Sequence, residues 1–137
     1  MQGYLALVLH AHLPFVRHPE HDRFLEESWL FEAVAETYLP LLQMLEGWHR
    51  DKLPARLTLT LTPTLCAMLR DPLLQERCER HLDSLVSLGK KELRRTRRQP
   101  AAHAVAQLYD ERFTAAGELY RSYQRDLVSA FARFQQL

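Results

Sequence analysis

The sequence predicts an α/β protein, with two parallel strands and long helices, in which strand and helix segments alternate. Three observations support this prediction: an apolar run at residues 4–9, a Leu/Thr alternation at residues 56–62, and helical spacing of apolar residues through most of the remainder. Strands separated by helices favour a parallel sheet, because two parallel strands need a long crossover connection.

The first predicted strand spans Tyr4 to Leu9 (YLALVL) and ends at polar residues, which is typical of a strand buried on both faces. The second spans Arg56 to Thr62 (RLTLTLT), where leucines alternate with threonines at the period of a strand. Between them, residues at helical spacing mark two faces of a first helix around 29–37. A second helix is predicted from Pro40, which suits a first helical turn, to about Arg50.

After the second strand, the pairs Thr62-Pro63 and Asp71-Pro72 each place an N-cap residue before a proline, which predicts two helix starts. Apolar spacing predicts a helix from Pro72 to about Arg98, and helical sequence again over residues 101–137 after Pro100 breaks the pattern. A parallel sheet of two strands has two open edges and is hardly stable alone. We therefore expect the chain to be a fragment, the beginning of a larger sheet.

Composition excludes several classes of protein. The 137 residues are 47% hydrophobic and 26% charged with a formal net charge of +1, which is ordinary for one globular domain and gives no strong field for nucleic acid or an anionic membrane. The longest aliphatic run, residues 5–9, is too short to span a bilayer, and no Gly-rich phosphate loop is present. The two cysteines, Cys66 and Cys78, form no C-x-x-C pair and fit a reducing cytoplasm as small apolar core residues.

The most informative motif is His10-Ala11-His12 at the end of the first predicted strand. In extended backbone two residues that are two positions apart point to the same side, and α/β proteins gather ligands at the carboxyl ends of their strands. The pair is interpreted either as ligands of a metal, which would need further ligands, or as hydrogen-bonding groups for a polar substrate such as a sugar. The remaining alternative is two structural histidines that close the mouth of a barrel.

Other candidates are weaker. Trp29 offers an aromatic face for a sugar ring, although a tryptophan at a helix start more often packs against the core. Lys90 to Arg98 (KKELRRTRR) is the only basic run, and no aromatic platform accompanies it, so it is interpreted as a solvated helix surface. The four acids of the loop after the first strand are interpreted as solvated side chains rather than catalytic ones: Glu20, Asp22, Glu26 and Glu27.

Three segments together, GYLALVLHAHLPFVRHPE, EESWLFEAVAETYLPLL and RLTLTLTP, closely resemble the amino terminus of glycoside hydrolase family 57, nearest to its 1,4-α-glucan branching enzymes and amylase-like proteins. The resemblance covers essentially the whole chain. It implies the N-terminal portion of an incomplete (β/α)7 TIM-like barrel over residues 1–137, with a helical insertion at about 72–136. It also implies retaining chemistry on α-1,4-glucans by a Glu nucleophile and an Asp acid/base, both beyond this chain, so that the 137 residues alone would be inactive.

Within that resemblance, His10 and His12 match the family's first motif beside the donor sugar, and Trp29 matches an aromatic position near the active site. No metal or other cofactor is implied. We expect a cytoplasmic enzyme of glycogen biosynthesis whose partner is an α-1,4-glucan, with the rest of the barrel supplied in cis or by a partner chain. Two alternatives stay open: a metal-dependent hydrolase that uses the H-x-H pair, and a non-catalytic module that binds glucan or a partner protein.

Overall fold

The computed structural model describes residue 3 and residues 5–136. Its sheet has two parallel strands, β1 (Val8–Ala11) and β2 (Thr58–Leu61), which pair from Val8 opposite Thr58 to Ala11 opposite Leu61. All other elements are helical and either connect the two strands or follow β2. The predicted α/β class, with two parallel strands and long helices, is therefore confirmed.

The prediction for the first strand was wrong in its start and in its burial. β1 begins at Val8 rather than at Tyr4, which lies outside the described residues, and it continues through His10 to Ala11. Leu5 is 94% exposed and Val8 is 62% exposed, because nothing in the described part of the chain packs on that side of the two strands. An apolar run indicates that a strand can be buried, but burial also requires other elements that pack on its faces. Residues 3 and 5–136 supply no such element on the exposed side of β1.

The segment between the strands folds as α1 (Leu25–Ala33), a π-helical segment (Val34–Tyr38) and α2 (Leu39–Arg50). The two predicted helices are thus joined without a break. Pro40 lies in the first turn of α2, as predicted. Since proline has no N–H and its ring crowds the preceding turn, the helix widens before it, and Leu39 N–H donates to the carbonyl of Val34, five residues back.

Two caps start the helices that follow β2, α3 (Pro63–Arg70) and α4 (Pro72–Thr96). The Thr62 hydroxyl accepts a hydrogen bond from Leu65 N–H at 3.4 Å. The Asp71 carboxylate oxygen Oδ1 accepts from the N–H groups of the residues two and three positions later, at 2.9 and 3.1 Å. Both predicted N-caps are confirmed, and they fix where α4 begins relative to the sheet.

The last predicted helical stretch is divided into three parts: α5 (Pro100–Ser122), α6 (Leu127–Arg133) and a 3-10 turn (Phe134–Gln136). The break occurs where Gln124 and Arg125 adopt positive φ angles of 53° and 66°, after which Asp126 caps α6 by accepting from Ser129 N–H at 3.0 Å. This turn brings α6 back against α3.

The core lies among the helices. α4 and α5 form an antiparallel hairpin, and at Gly89 they approach so closely that an added Cβ would lie 2.9 Å from the Asp110 carboxylate. Most of the buried apolar side chains belong to the helices, the π-helical segment and the turn before α6, and Val16 joins them from the loop after β1. β1 and β2 contribute only partly buried side chains: Ala11, Leu59 and Leu61.

Cys78 is buried as predicted, which raises the pKa of its thiol to about 12, whereas Cys66 is only half-buried.

Candidate functional site

The two histidines of the H-x-H motif lie side by side at the carboxyl end of β1. His10 is within the strand and His12 follows it directly. Their rings are nearly parallel, with an interplanar angle of 11° and centroids 6.1 Å apart, and both side chains are exposed. The prediction that they point to the same side is confirmed. Both imidazole rings are therefore accessible to a ligand at the carboxyl end of β1.

The second strand orients one of these rings. His10 stands opposite Thr60 in the parallel register, and its Nδ1 lies 2.7 Å from the Thr60 hydroxyl oxygen. A neutral imidazole has one donor and one acceptor nitrogen, so the partner of Nδ1 decides which role remains for Nε2. Because a hydroxyl can donate or accept, the contact fixes the ring plane while either tautomer stays available.

Trp29 lies in the second turn of α1, and its side chain is 47% exposed. It is therefore not one of the buried residues that form the core, which removes the usual structural reason for a tryptophan at a helix start. An exposed indole face is available for stacking, as the sugar-binding interpretation requires.

The loop after β1 is fixed to the helices at two points. The Val16 side chain is buried, and its N–H donates to the Met68 sulfur at 3.3 Å. The Arg17 Nε–H donates to Asp71 Oδ2 at 2.7 Å, so the carboxylate that caps α4 also holds the loop. These contacts limit how far the backbone that follows His12 can move.

A buried ion pair holds the rest of that loop. Arg77 on α4 lies 2.6 and 2.8 Å from the two carboxylate oxygens of Glu27 on α1, and the two residues are only 6% and 1% exposed. The same guanidinium donates to the carbonyls of His18 at 3.1 Å and His21 at 2.5 Å, while Glu27 accepts from His18 N–H at 2.9 Å. The five groups form one network among α1, α4 and the loop.

This network corrects the interpretation of the loop acids as solvated. Glu27 is one of the most buried side chains of the molecule, and its negative charge is balanced by Arg77. Glu20 is solvent-exposed, and a backbone hydrogen bond, together with one from His18, holds its pKa below the usual range. The lowered pKa of Glu20 is the opposite of what a general acid needs at neutral pH.

Within the described residues, no group of three or more His, Cys, Asp or Glu side chains gathers where it could hold a metal ion. The H-x-H pair is therefore without a third protein ligand in this part of the chain. None of the described helices combines the length and the apolar character needed to cross a membrane. The histidine pair offers a polar edge of two imidazoles. Trp29 on α1 offers an exposed indole face, and no contact between it and the histidines is found in the described part of the chain.

Three residues of this region were not predicted from the sequence. Thr60 was identified only as a strand residue. Its position opposite His10 follows from the parallel register of β1 and β2, which cannot be derived from the sequence alone. Glu27 and Arg77 are 50 positions apart on different helices, so nothing local marks them as a pair.

Comparisons with known proteins identify the family of the chain. The model of glycosyl hydrolase family 57 matches residues 6–137. A 1,4-alpha-glucan branching enzyme of Thermococcus kodakarensis is 33% identical over 95 residues, which are 69% of this chain and 14% of that protein. A probable 1,4-alpha-glucan branching enzyme of Mycobacterium tuberculosis is 42% identical over 71 residues, which are 51% of this chain and 13% of that protein.

Solved structures resemble the chain over 99% of its length. An alpha-amylase of Thermotoga maritima superposes with a TM-score of 0.91 at 44% identity, and the match covers 26% of that structure. A branching enzyme of Pyrococcus horikoshii gives a TM-score of 0.90 at 29% identity and is covered to 25%. The chain thus spans about a seventh of the curated relatives' length and a quarter of these structures. The resemblance to the N-terminal part of these enzymes is confirmed, and the chain belongs to glycosyl hydrolase family 57.

Proposed function

We propose that the protein acts on α-1,4-glucans as a retaining branching enzyme or amylase-type glycosidase, and that residues 1–137 supply part of its sugar-binding site. The catalytic glutamate and aspartate are proposed to come from residues outside these 137. In a retaining reaction the glutamate would form a glycosyl-enzyme intermediate, which is then transferred to a sugar hydroxyl or to water.

The observation that carries this proposal is the paired imidazole edge at the end of β1 in a chain of this family. Nitrogens of His10 and His12 can donate to and accept from sugar hydroxyls, and the contact to Thr60 holds one ring in a fixed plane. Groups that are fixed before the substrate arrives accelerate the reaction by positioning it. The exposed face of Trp29 is proposed to stack on a neighbouring sugar ring.

The first experiment measures the size of the native protein, by immunoblot of source-cell extract with antibody against residues 72–136. A band several times heavier than 16.1 kDa is expected, since the relatives are much longer than this chain. A band at 16.1 kDa, with no partner that supplies the carboxylates, would overturn the enzymatic proposal.

The second experiment tests the histidines in the native-length enzyme. His12→Ala is expected to lower turnover of amylose at least about tenfold, because a polar contact to the reacting sugar is lost. The matched control is His49→Ala, which removes another exposed histidine, near the end of α2. Unchanged turnover in His12→Ala, with an unchanged unfolding midpoint, would remove His12 from the site.

The third experiment separates branching from hydrolysis. Amylose is incubated with the enzyme, and one half of the product is treated with a debranching enzyme before its chain lengths are measured. New short chains that appear only after debranching would indicate branching and a place in glycogen synthesis. New reducing ends without branches would indicate an amylase.

A further inference from the structure

A cavity lined in part by the buried ion pair lies between α1 and α4. Its volume is about 520 Å³, and its walls include Arg77 and His81 from α4 and Phe24 and Phe31 from the segment around α1. Neither the histidine pair nor Trp29 lines it. It is therefore distinct from the sugar-binding edge at the end of β1.

Two buried nitrogens of this cavity's walls have no hydrogen-bond partner among the described residues. One is Nε of Arg77, whose other nitrogens hold Glu27 and the loop carbonyls, and the other is Nε2 of His81. Just one more such side-chain atom, Asp110 Oδ1, occurs in the described part of the chain. A buried polar atom without a partner is costly. Arg77 Nε is always a donor, and His81 Nε2 donates in the tautomer that carries its proton there, so the two can serve one ligand that accepts hydrogen bonds.

The charges at the cavity favour an anion. Glu27 is neutralised by Arg77, which leaves Arg23 and Arg80 against Asp22 in the lining. Neither of these two arginines forms an ion pair with any residue that the structure describes. Ser28 adds a hydroxyl that can donate to the same ligand. Guanidinium groups with a hydroxyl match the oxygens of phosphate, to which they can give several charge-assisted hydrogen bonds.

The size and the walls indicate what surrounds that anion. A volume of about 520 Å³ exceeds what a single inorganic phosphate fills, and the rings of Phe24 and Phe31 provide apolar surface beside the donors. His81 packs against Phe31, with ring centroids 5.7 Å apart, so the polar and apolar walls meet. A phosphate monoester with a ring or chain attached would use both walls.

We propose that the α1–α4 cavity is a binding site for a phosphate group, held by Arg77 Nε, His81 Nε2, Arg80 and Arg23, with the organic part of a phosphate monoester against Phe24 and Phe31. The site shares no residue with the histidine edge, so phosphate binding and glucan turnover can be measured separately.

The test is calorimetric titration of the native-length protein with inorganic phosphate, at constant ionic strength in chloride. We expect saturable binding of one phosphate per chain, and sulfate should compete because it has the same shape. An absence of saturable binding in the wild-type protein, for phosphate and for the monoester probe described below, would overturn the proposal and leave water as the partner of the two nitrogens.

The matched variants separate the site from general attraction to a basic helix. Arg23→Gln/Arg80→Gln removes the two exposed cations of the cavity and is expected to weaken phosphate binding at least about tenfold. Arg94→Gln removes an exposed arginine from the same helix outside the cavity and should leave binding unchanged. Equal weakening in both variants would contradict a specific site. Glucan turnover should be the same in all three proteins, so failure of this proposal is distinguishable from failure of the enzymatic one.

The source of the phosphate is decided by a second probe. Phenyl phosphate is expected to bind more tightly than inorganic phosphate, because its ring would contact Phe24 and Phe31, and this result would assign a monoester. Equal affinity would overturn the role of the aromatic wall and assign free phosphate. Phenol alone should not bind, and if it bound as well as phenyl phosphate the phosphate contacts would be excluded.

Discussion

The strands and the helices of this chain differ in how much they contribute to the core. β1 and β2 carry His10 and Thr60 on exposed positions and contribute no fully buried side chain to the core. The helices carry most of the core, including Leu42, Leu65 and Met68, which have no exposed surface. The histidines proposed to bind sugar therefore lie at strand elements that add little to the core, which the helices supply. Substitutions in the two regions should have separable effects.

The largest effect is expected at the buried ion pair, which joins α1 and α4 to the loop after β1. Arg77→Met should lower the free energy of unfolding by about 3–5 kcal/mol, because it leaves the Glu27 charge buried without a partner and frees the carbonyls of His18 and His21. Urea denaturation of the purified protein measures this.

The control for this prediction is Arg95→Met, which breaks the exposed pair with Glu92 on the same helix and should not change the denaturation midpoint measurably. A double variant, Glu27→Leu/Arg77→Met, should recover part of the loss, since it removes the unpaired charge. If Arg77→Met were as stable as Arg95→Met, the ion pair would not join the loop to the helices.

A smaller effect is expected inside the helical region. Gly89→Ala should destabilise the protein by about 1–3 kcal/mol, because the new Cβ would lie 3.0 Å from the Asp110 Cα and must push α4 and α5 apart. Gly47→Ala on α2 is the matched control, since its Cβ would meet no atom nearer than 4.0 Å. That change should stabilise the protein by about 0.5–1 kcal/mol. Thermal unfolding of both variants should thus give shifts of opposite sign, and shifts of the same sign would refute the close helix contact.

The smallest effect on stability and a selective effect on activity are expected in the strands. Thr60→Val keeps the shape of the side chain but removes the hydroxyl that contacts His10 Nδ1. Glucan turnover should fall about fivefold, which corresponds to about 1 kcal/mol, while the unfolding midpoint stays unchanged. Thr60→Ser should restore turnover, because it keeps the hydroxyl. If serine failed to restore turnover, Thr60 would not position the histidine.

The parts of the fold that were predictable are those with local causes. The caps at Thr62 and Asp71 were readable because a capping side chain bonds to backbone two or three residues away. The burial of β1 was misjudged, because it depends on what packs against the strand and not on the strand itself. The continuity of the helix through residues 34–38 and the break at 123–126 were not predicted for a related reason, since a widened turn or a positive φ leaves no change in apolar spacing.

In the candidate site, too, the features with local causes were predictable and those that depend on distant residues were not. The pairing of His10 with His12 could be derived from the two-residue period of a strand, and the parallel rings confirm it. The burial of Glu27 could not be derived, because its charge is matched by a residue on another helix, 50 positions later. Glu27 lies in the first turn of α1 and not in the loop, and its burial was visible only in three dimensions.

The carboxylate of Asp71 has a consequence for how this region opens. One of its oxygens accepts the amides of Leu73 and Leu74 at the start of α4, and the other accepts Arg17 from the loop beside the histidines. Fraying of that helix end and release of that loop are therefore one local unfolding event rather than two. Amide hydrogen exchange at Leu73, at Leu74 and in the loop around Arg17 should show a common opening free energy.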